Sequence, residues 1–190
     1  MNDYTKQIRQ YIELEKEVLE SLEENEISEI MNTLEQARLA GKRIFICGNG
    51  GSASTASHLE CDFNKGISYA QQIKYDIECL SDNVPMMMAI ANDLGYENIF
   101  LEPLKNKLKM GDIVIGISGS GNSENVIRAF QYANEIGADT IAFTGYNGGK
   151  LKALAKLNIH VQVDNMQIVE DVHLILNHMM MYILSGMKGC

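Results

Sequence analysis

The stretch FICGNGGSASTASHLECD, residues 45–62, decides the fold of this chain. It opens as a short apolar run, passes through small and polar residues, and continues as a helix. A strand, a glycine-rich turn and a helix in this order are typical of a β-α-β unit. Glycine lets a backbone approach a ligand closely. The turn therefore predicts a binding site at the end of the first strand.

The rest of the chain repeats this alternation. Short apolar runs predict strands, and amphipathic segments between them predict helices. The predicted strands are 43–48, 76–80, 112–118, 139–144 and 158–163. The predicted helices after the first strand are 52–65, 84–94, 98–108, 123–136, 150–155 and 167–185. Strands separated by helices favour a parallel sheet that is covered on both faces.

Two further helices, over 4–24 and 26–40, precede any strand. We therefore expect one domain over residues 1–190, with a helical pair over 1–41 and an α/β core over 42–190. The last helix, 167–185, is apolar nearly all round, so it must be buried on most sides. In a chain of 190 residues, a subunit interface is the expected place for such a helix.

Charge and composition exclude several classes of protein. The formal net charge of −9 argues against nonspecific nucleic-acid binding, which needs clustered Lys and Arg. The charged start lacks the apolar region of a signal peptide, and no apolar run is long enough to span a membrane. The four cysteines (Cys47, Cys61, Cys79 and Cys190) form no C-x-x-C pair. We expect reduced thiols in a cytoplasmic protein that binds neither nucleic acid nor membrane.

Two loops have the composition of a phosphate site. Residues 48–52 (GNGGS) follow the first strand, and residues 118–123 (SGSGNS) follow the third. Hydroxyls and free amides before a helix suit a phosphate monoester. Neither loop is a Walker or G-x-G-x-x-G motif, which argues against nucleotide hydrolysis and NAD binding. The alternative is that Ser123 only caps its helix and the glycines only turn the chain.

Four motifs in order carry a family resemblance: GNGGS before a helix with a histidine, the ND of AIANDLGYENIF, GISGSGNSENVIRA, and EDVHLILNH. From about residue 10 to 185 the chain resembles phosphoheptose isomerases (sedoheptulose 7-phosphate isomerases), which belong to the sugar isomerase, or SIS, group. The resemblance implies a flavodoxin-like α/β fold with a five-stranded parallel sheet. It also implies a homotetramer with active sites shared between subunits. The implied reaction is aldose–ketose isomerisation of a seven-carbon sugar phosphate, sedoheptulose 7-phosphate, in heptose biosynthesis.

The resemblance also implies roles for individual residues. The metal-binding histidines of the family match His58 and His178. Asp62 stands where the family has a glutamate that is both base and zinc ligand, and Glu170 where it has a glutamine that binds metal and substrate. Zinc or a similar divalent ion is thus implied, with Asp62 and His178 as catalytic residues. The implied substrate contacts are, besides Asp62 and Glu170, Asn49, Gly50, Gly51, Ser52, Asn92, Asp93, Ser118, Gly119, Ser120 and Ser123.

The chain departs from the family pattern at several of these positions. Aspartate replaces the glutamate at Asp62, the following residues lack the family's L-T-G-R, and Gly119 replaces a threonine between two serines. These departures leave a second hypothesis open. It is a non-catalytic SIS module that binds a phosphosugar or a partner protein such as a replication initiator, as a relative of the family does.

The spacing of the ligand candidates bears on assembly. His58 and Asp62 are four residues apart and share one helix face. Glu170 and His178 are eight residues apart, about 12 Å along an uninterrupted helix. Either this helix begins late or one of the two residues comes from another subunit. We predict the second, with His178 of one chain completing the site of another. Cys61 is a further ligand candidate.

Overall fold

The computed structural model describes residues 2–186, so Cys190 lies outside the described residues. Its five strands form one sheet in which every neighbouring pair is parallel, in the order β2-β1-β3-β4-β5. The strands are β1 (Ile44–Gly48), β2 (Ile77–Cys79), β3 (Ile113–Ser118), β4 (Asp139–Gly145) and β5 (Leu157–Val161). This is the strand order of flavodoxin-like folds, as predicted.

The described residues contain eight α-helices. They are α1 (Thr5–Glu20), α2 (Glu24–Leu39), α3 (Gly51–Cys61), α4 (Val84–Leu94), α5 (Leu101–Lys107), α6 (Glu124–Ile136), α7 (Gly149–Leu154) and α8 (Met166–Leu184). The predicted N-terminal pair is confirmed as α1 and α2. Asn165 caps α8, because its side-chain oxygen accepts hydrogen bonds from the amides of Gln167 and Ile168. The helix therefore does not begin late.

Two helices differ from the prediction. The predicted helix over 52–65 ends as an α-helix at Cys61 and continues as a π-helical turn, Asp62–Ile67. Gly66 permits this turn to lie against α8, since a Cβ there would come 2.5 Å from the methyl carbon of Met181. The predicted helix over 98–108 begins only at Leu101, after a 3-10 turn at Tyr96–Asn98.

The sheet separates two hydrophobic cores. Along β1, Ile44 and Ile46 belong to one core and Phe45 and Cys47 to the other, because successive side chains of a strand point to opposite faces. Helices α2, α3 and α8 contribute to the first core, and α5, α6 and α7 to the second. Both faces of the sheet are therefore covered, as the alternation of strands and helices predicted.

The last helix is less buried within one chain than its composition suggests. One side of α8, including Val172 and Leu176, is fully buried in the first core. Tyr182 and Ile183, near its end, remain more than half exposed. No helix among residues 2–186 is long and apolar enough to cross a membrane.

Candidate active site

The two glycine-rich loops meet at one edge of the sheet. Strands β1 and β3 are neighbours, and Gly48 at the end of β1 is paired with Ile117 near the end of β3. Helices α3 and α6 begin just beyond these strand ends. The strand order changes direction between β1 and β3, and ligands of open α/β sheets bind in the crevice at such a point. The loops are thus placed where a ligand is expected.

The serine loop, residues 118–123, has hydroxyls that do not cap helix α6. Ser123 stands at the N-cap of α6, yet its side chain makes no capping hydrogen bond. Its hydroxyl lies instead 3.1 Å from the hydroxyl of Ser118. The Ser120 hydroxyl accepts a hydrogen bond from the amide of Asn122 at 3.2 Å. The alternative that Ser123 only caps its helix is therefore not what the geometry shows.

Gly119, which replaces a threonine of the family, lies close to the start of α8. A Cβ on Gly119 would lie 2.7 Å from the sulphur of Met166, at the start of α8. This contact is closer than real Cβ atoms tolerate, so a larger residue at 119 requires Met166 to move. The missing hydroxyl thus accompanies close packing of the loop against α8.

An amide pair that no pattern in the sequence indicated joins the two loops. The side chains of Asn49 and Asn125 exchange hydrogen bonds of 3.0 and 2.9 Å. The Tyr96 hydroxyl donates to the same Asn49 oxygen at 2.7 Å. Asn125 is only 2% exposed. The Asn49 carboxamide is therefore held in place by residues from two other elements, and this pairing links the end of β1 to the start of α6.

The acid–imidazole cluster, which consists of His58, Asp62 and His178, forms within one chain. The Nε2 atoms of His58 and His178 lie 3.3 Å apart, and the Asp62 Oδ2 atom lies 3.3 Å from the first and 3.9 Å from the second. Half of each imidazole is exposed, whereas Asp62 is largely buried. The prediction that His178 completes the cluster of another chain is wrong, because His178 reaches His58 and Asp62 of its own chain.

The Glu170 side chain, which comes from α8, lies near the N-terminal end of α3, whereas His58 lies near the C-terminal end of α3. A Cβ on Gly51 would collide with the Glu170 carboxylate, so this carboxylate sits against the N-terminus of α3, where a helix dipole favours negative charge. Glu170 is absent from the group of ligand atoms that the described part of the chain brings together. Ser52, also at this end of α3, is buried.

Two further residues with implied substrate contacts lie on the surface near the end of α4. Asn92 and Asp93 are exposed, and the Asn92 amide donates to the Asp93 carboxylate at 2.7 Å. Both side chains are accessible to a ligand. Within one chain, neither is hydrogen-bonded to the serine loop or to the acid–imidazole cluster among the described residues.

The cluster satisfies a simple test for a metal site. Ligand atoms on one tetrahedral zinc ion, at Zn–N distances of about 2.0–2.1 Å, lie roughly 3.3 Å apart. Two of the three separations among His58, His178 and Asp62 have this value, and the third is 3.9 Å. Two imidazoles and one carboxylate are a donor set that divalent zinc accepts. The residues present therefore fit such an ion. Cys61 is not part of this group.

The two remaining histidines belong to the fold. His160, on β5, contacts the Thr144 hydroxyl through Nδ1 at 3.2 Å. His173 is 1% exposed, and its Nε2 lies 3.4 Å from the Thr144 carbonyl oxygen. Burial lowers the pKa of His173 to about 4.

This burial predicts a pH dependence of stability. In the unfolded chain His173 binds a proton below a pKa of about 6.5, whereas in the folded chain it stays neutral down to about 4. As pH falls from about 6.5 to 4, His173 binds a proton only in the unfolded state. This one group therefore lowers the free energy of unfolding by roughly 3 kcal/mol over that range. We expect urea unfolding of His173→Leu to lose this part of the pH dependence. Equal slopes of stability against pH for both proteins would contradict the assignment.

Comparison with known proteins identifies the family to which this chain belongs. The SIS domain family profile matches residues 3–145. The chain is 37% identical to a probable phosphoheptose isomerase of Thermoplasma acidophilum, over 79% of this chain and 82% of the relative. It is 35% identical to the phosphoheptose isomerase of Clostridium acetobutylicum, over 90% of this chain and 88% of the relative. The phosphoheptose isomerase structure from Neisseria gonorrhoeae superposes with a TM-score of 0.87 at 26% identity, covering 97% of this chain and all of the other. This chain belongs to the phosphoheptose isomerase family of SIS domain proteins.

Proposed function

We propose that this chain isomerises sedoheptulose 7-phosphate to an aldose heptose 7-phosphate. The observation that supports this most directly is the convergence of His58, Asp62 and His178 on one point of the same chain. Moving a proton between adjacent carbons requires a base near the carbon and an acid near the oxygens. The relatives' names supply the substrate class, and the serine loop supplies a place for its phosphate.

Asp62 is the base in this proposal. Its Oδ2 atom already faces both imidazoles and the amide of Asn177, so we assign proton abstraction to Oδ1. This oxygen takes a proton from carbon 1 of the ketose. His178 gives a proton to the oxygen on carbon 2 from its Nδ1 atom, because its Nε2 atom faces the other two members of the cluster. The protonated Asp62 then gives its proton to carbon 2 of the enediol, and Nδ1 of His178 takes a proton from the oxygen on carbon 1. This yields the aldehyde and restores both residues.

A divalent ion is the proposed cofactor, held by His58, Asp62 and His178. When bound, such an ion polarises the sugar oxygens and stabilises the negative charge that develops on them. Zinc is the first candidate, because two nitrogen donors and a carboxylate are typical of its catalytic sites.

The serine loop is the proposed phosphate site. Ser118, Ser120 and Ser123 offer three hydroxyls at the start of α6, where the positive end of a helix favours an anion. The corresponding end of α3 already faces the Glu170 carboxylate. A phosphate is therefore better placed at α6 than at α3.

We expect Ser123→Ala to weaken phosphosugar binding by about 1–3 kcal/mol, because a phosphate oxygen loses a hydroxyl donor. Ser120→Ala should have a comparable effect, since that hydroxyl only accepts a hydrogen bond from the Asn122 amide and keeps its own hydrogen for a phosphate oxygen. Calorimetric titration with sedoheptulose 7-phosphate measures both. Ser28→Ala, at an exposed position of α2, is the control. Unchanged affinity in both loop variants would remove the phosphate from this loop.

Assembly is also a proposal. Helix α4 has no buried residue, and Val84, Met88 and Leu94 on it are more than half exposed. Tyr182 and Ile183 of α8 are also exposed. Exposed apolar surfaces of this kind support assembly into a homotetramer, in which each chain contributes one SIS domain over residues 1–190. Since His178 already reaches His58 and Asp62 of its own chain, a shared site in such a tetramer would take residues other than His178 from a neighbouring subunit. The free thiols of Cys47, Cys61 and Cys79 support a reducing compartment, the cytoplasm.

The proposed activity is tested by supplying the purified protein with sedoheptulose 7-phosphate, with and without added zinc, and separating aldose from ketose phosphates. We expect conversion that increases with zinc, and slower conversion of the six-carbon fructose 6-phosphate. The alternative, a binding-only SIS module, is favoured by the aspartate at position 62. It predicts binding of the phosphosugar with no conversion under either condition.

A further inference from the structure

Asn177 is a buried polar residue next to the proposed metal ligands. It precedes His178 on α8 and is fully buried, with 0% exposure. Its Nδ2 atom donates a hydrogen bond of 2.9 Å to Oδ2 of Asp62. This is the same oxygen that faces both imidazoles. One turn of α8 therefore supplies both a histidine of the cluster and a donor to its carboxylate.

The oxygen atom of the Asn177 side-chain amide is not satisfied within the described part of the chain. Its Oδ1 atom is buried without a hydrogen-bond partner among the described residues. A buried acceptor without a partner costs stability. The neighbouring residues on the same side of α8 are apolar, including Leu176 and Met180, so a leucine would suit this position better. The Asn177 amide therefore combines one hydrogen bond, to Asp62, with one unsatisfied acceptor, and its net contribution to the stability of the fold is small.

The hydrogen bond has a direct consequence for Asp62. The terminal torsion of an aspartate is broad and allows many orientations of the carboxylate. A donor fixed in the interior removes this freedom and turns Oδ2 toward His58 and His178. The orientation of the Asn177 amide is also determined, because a carboxylate oxygen accepts hydrogen bonds and only the NH₂ end of the amide can donate one.

We propose that Asn177 is a positioning residue that holds the Asp62 carboxylate in its metal-binding orientation, at a cost in stability. The inference rests on the proposed function, because it concerns the same cluster. Hydrogen-bond partners of metal ligands orient those ligands, and their loss lowers metal affinity about 10–100-fold. Asn177 supplies such a bond to Asp62.

The test is Asn177→Leu, which removes the donor and also the unpartnered oxygen. Competition with a chromophoric chelator should show zinc bound about 10–100-fold more weakly than by the unchanged protein. The melting temperature of the metal-free protein should stay the same or rise. The kcat for the phosphosugar should fall, while KM changes less than twofold.

Asn134→Leu is the matched control. The Asn134 amide donates to the Leu154 carbonyl at 2.9 Å and accepts from the Thr140 hydroxyl at 3.1 Å, so both of its ends are satisfied. The same substitution there should lower the melting temperature and leave zinc affinity unchanged. Asn177→Ala removes the donor without adding methyl groups. It should show the same loss of zinc affinity if Asn177→Leu does not fold.

Three results distinguish failure of the inference about Asn177 from failure of the proposed function. Unchanged zinc affinity and kcat in Asn177→Leu and Asn177→Ala would overturn the inference. A lower melting temperature with unchanged zinc affinity, as expected for Asn134→Leu, would show a structural role instead and also overturn it. If the unchanged protein itself neither binds zinc nor converts the phosphosugar, the proposed function fails first.

Discussion

Asp62→Asn is expected to lower the rate of isomerisation by about 10²–10⁴-fold, the usual contribution of a positioned base. Asparagine has the same shape but cannot take a proton from carbon 1. Its side-chain oxygen can still accept the hydrogen bond from Asn177, so the fold should be kept. Phosphosugar binding should change little, because the serine loop is untouched. Turnover and calorimetric titration on the same preparation measure the two effects separately.

Asp139→Asn is the matched control for Asp62→Asn. Asp139 is the first residue of β4, at the amino end of the strands, and its carboxylate pairs with Lys156 at 2.8 Å. The same change of charge there should leave turnover within about twofold, since surface ion pairs contribute little. A turnover of Asp62→Asn close to that of Asp139→Asn would show that Asp62 is not the base.

Loss of either imidazole of the cluster is expected to release the metal. His58→Ala and His178→Ala each remove one of three candidate ligands. The loss of zinc affinity should therefore exceed the roughly 10–100-fold that follows from losing an outer hydrogen-bond partner. Elemental analysis of protein purified without chelator should find near-stoichiometric metal in the unchanged protein and little in either variant.

His160→Ala is the control for these two variants. This imidazole contacts Thr144 on the neighbouring strand and lies outside the cluster, so its loss should leave the metal content unchanged. Metal-free protein that still isomerises the phosphosugar at full rate would contradict the proposed cofactor. It would leave the fold and the phosphate site unaffected.

Much of the fold could be predicted from the sequence because local patterns determine it. Continuous apolar runs such as residues 113–117 are buried on both sides of a parallel sheet, and glycine-rich turns mark the strand ends. The resemblance supplied the strand order. Pattern reasoning failed where a helix changes type without changing composition. The π-helical turn at Asp62–Ile67 has no signal in the spacing of its apolar residues.

The site was predicted less completely, because its geometry depends on how two helices lie against each other. Glu170 sits near Gly51 at the start of α3, and His178 sits near His58 further along the same helix. The two helices thus run side by side in the same direction. Spacing along α8 alone could not reveal this, and it led to the wrong subunit for His178. Asn125 and Asn177 were missed because an asparagine in a helix has no distinctive pattern.

The central claim is that this chain carries out proton transfer on a phosphorylated ketose and does not only bind it. The most direct test incubates the zinc-loaded protein with sedoheptulose 7-phosphate in D₂O and follows the sugar by NMR. Transfer through an enediol, with the proton exchanging on the base, predicts an aldose heptose 7-phosphate that carries deuterium at carbon 2. A ketose that titration shows to be bound, yet that yields no aldose and gains no deuterium at carbon 1, would contradict the claim.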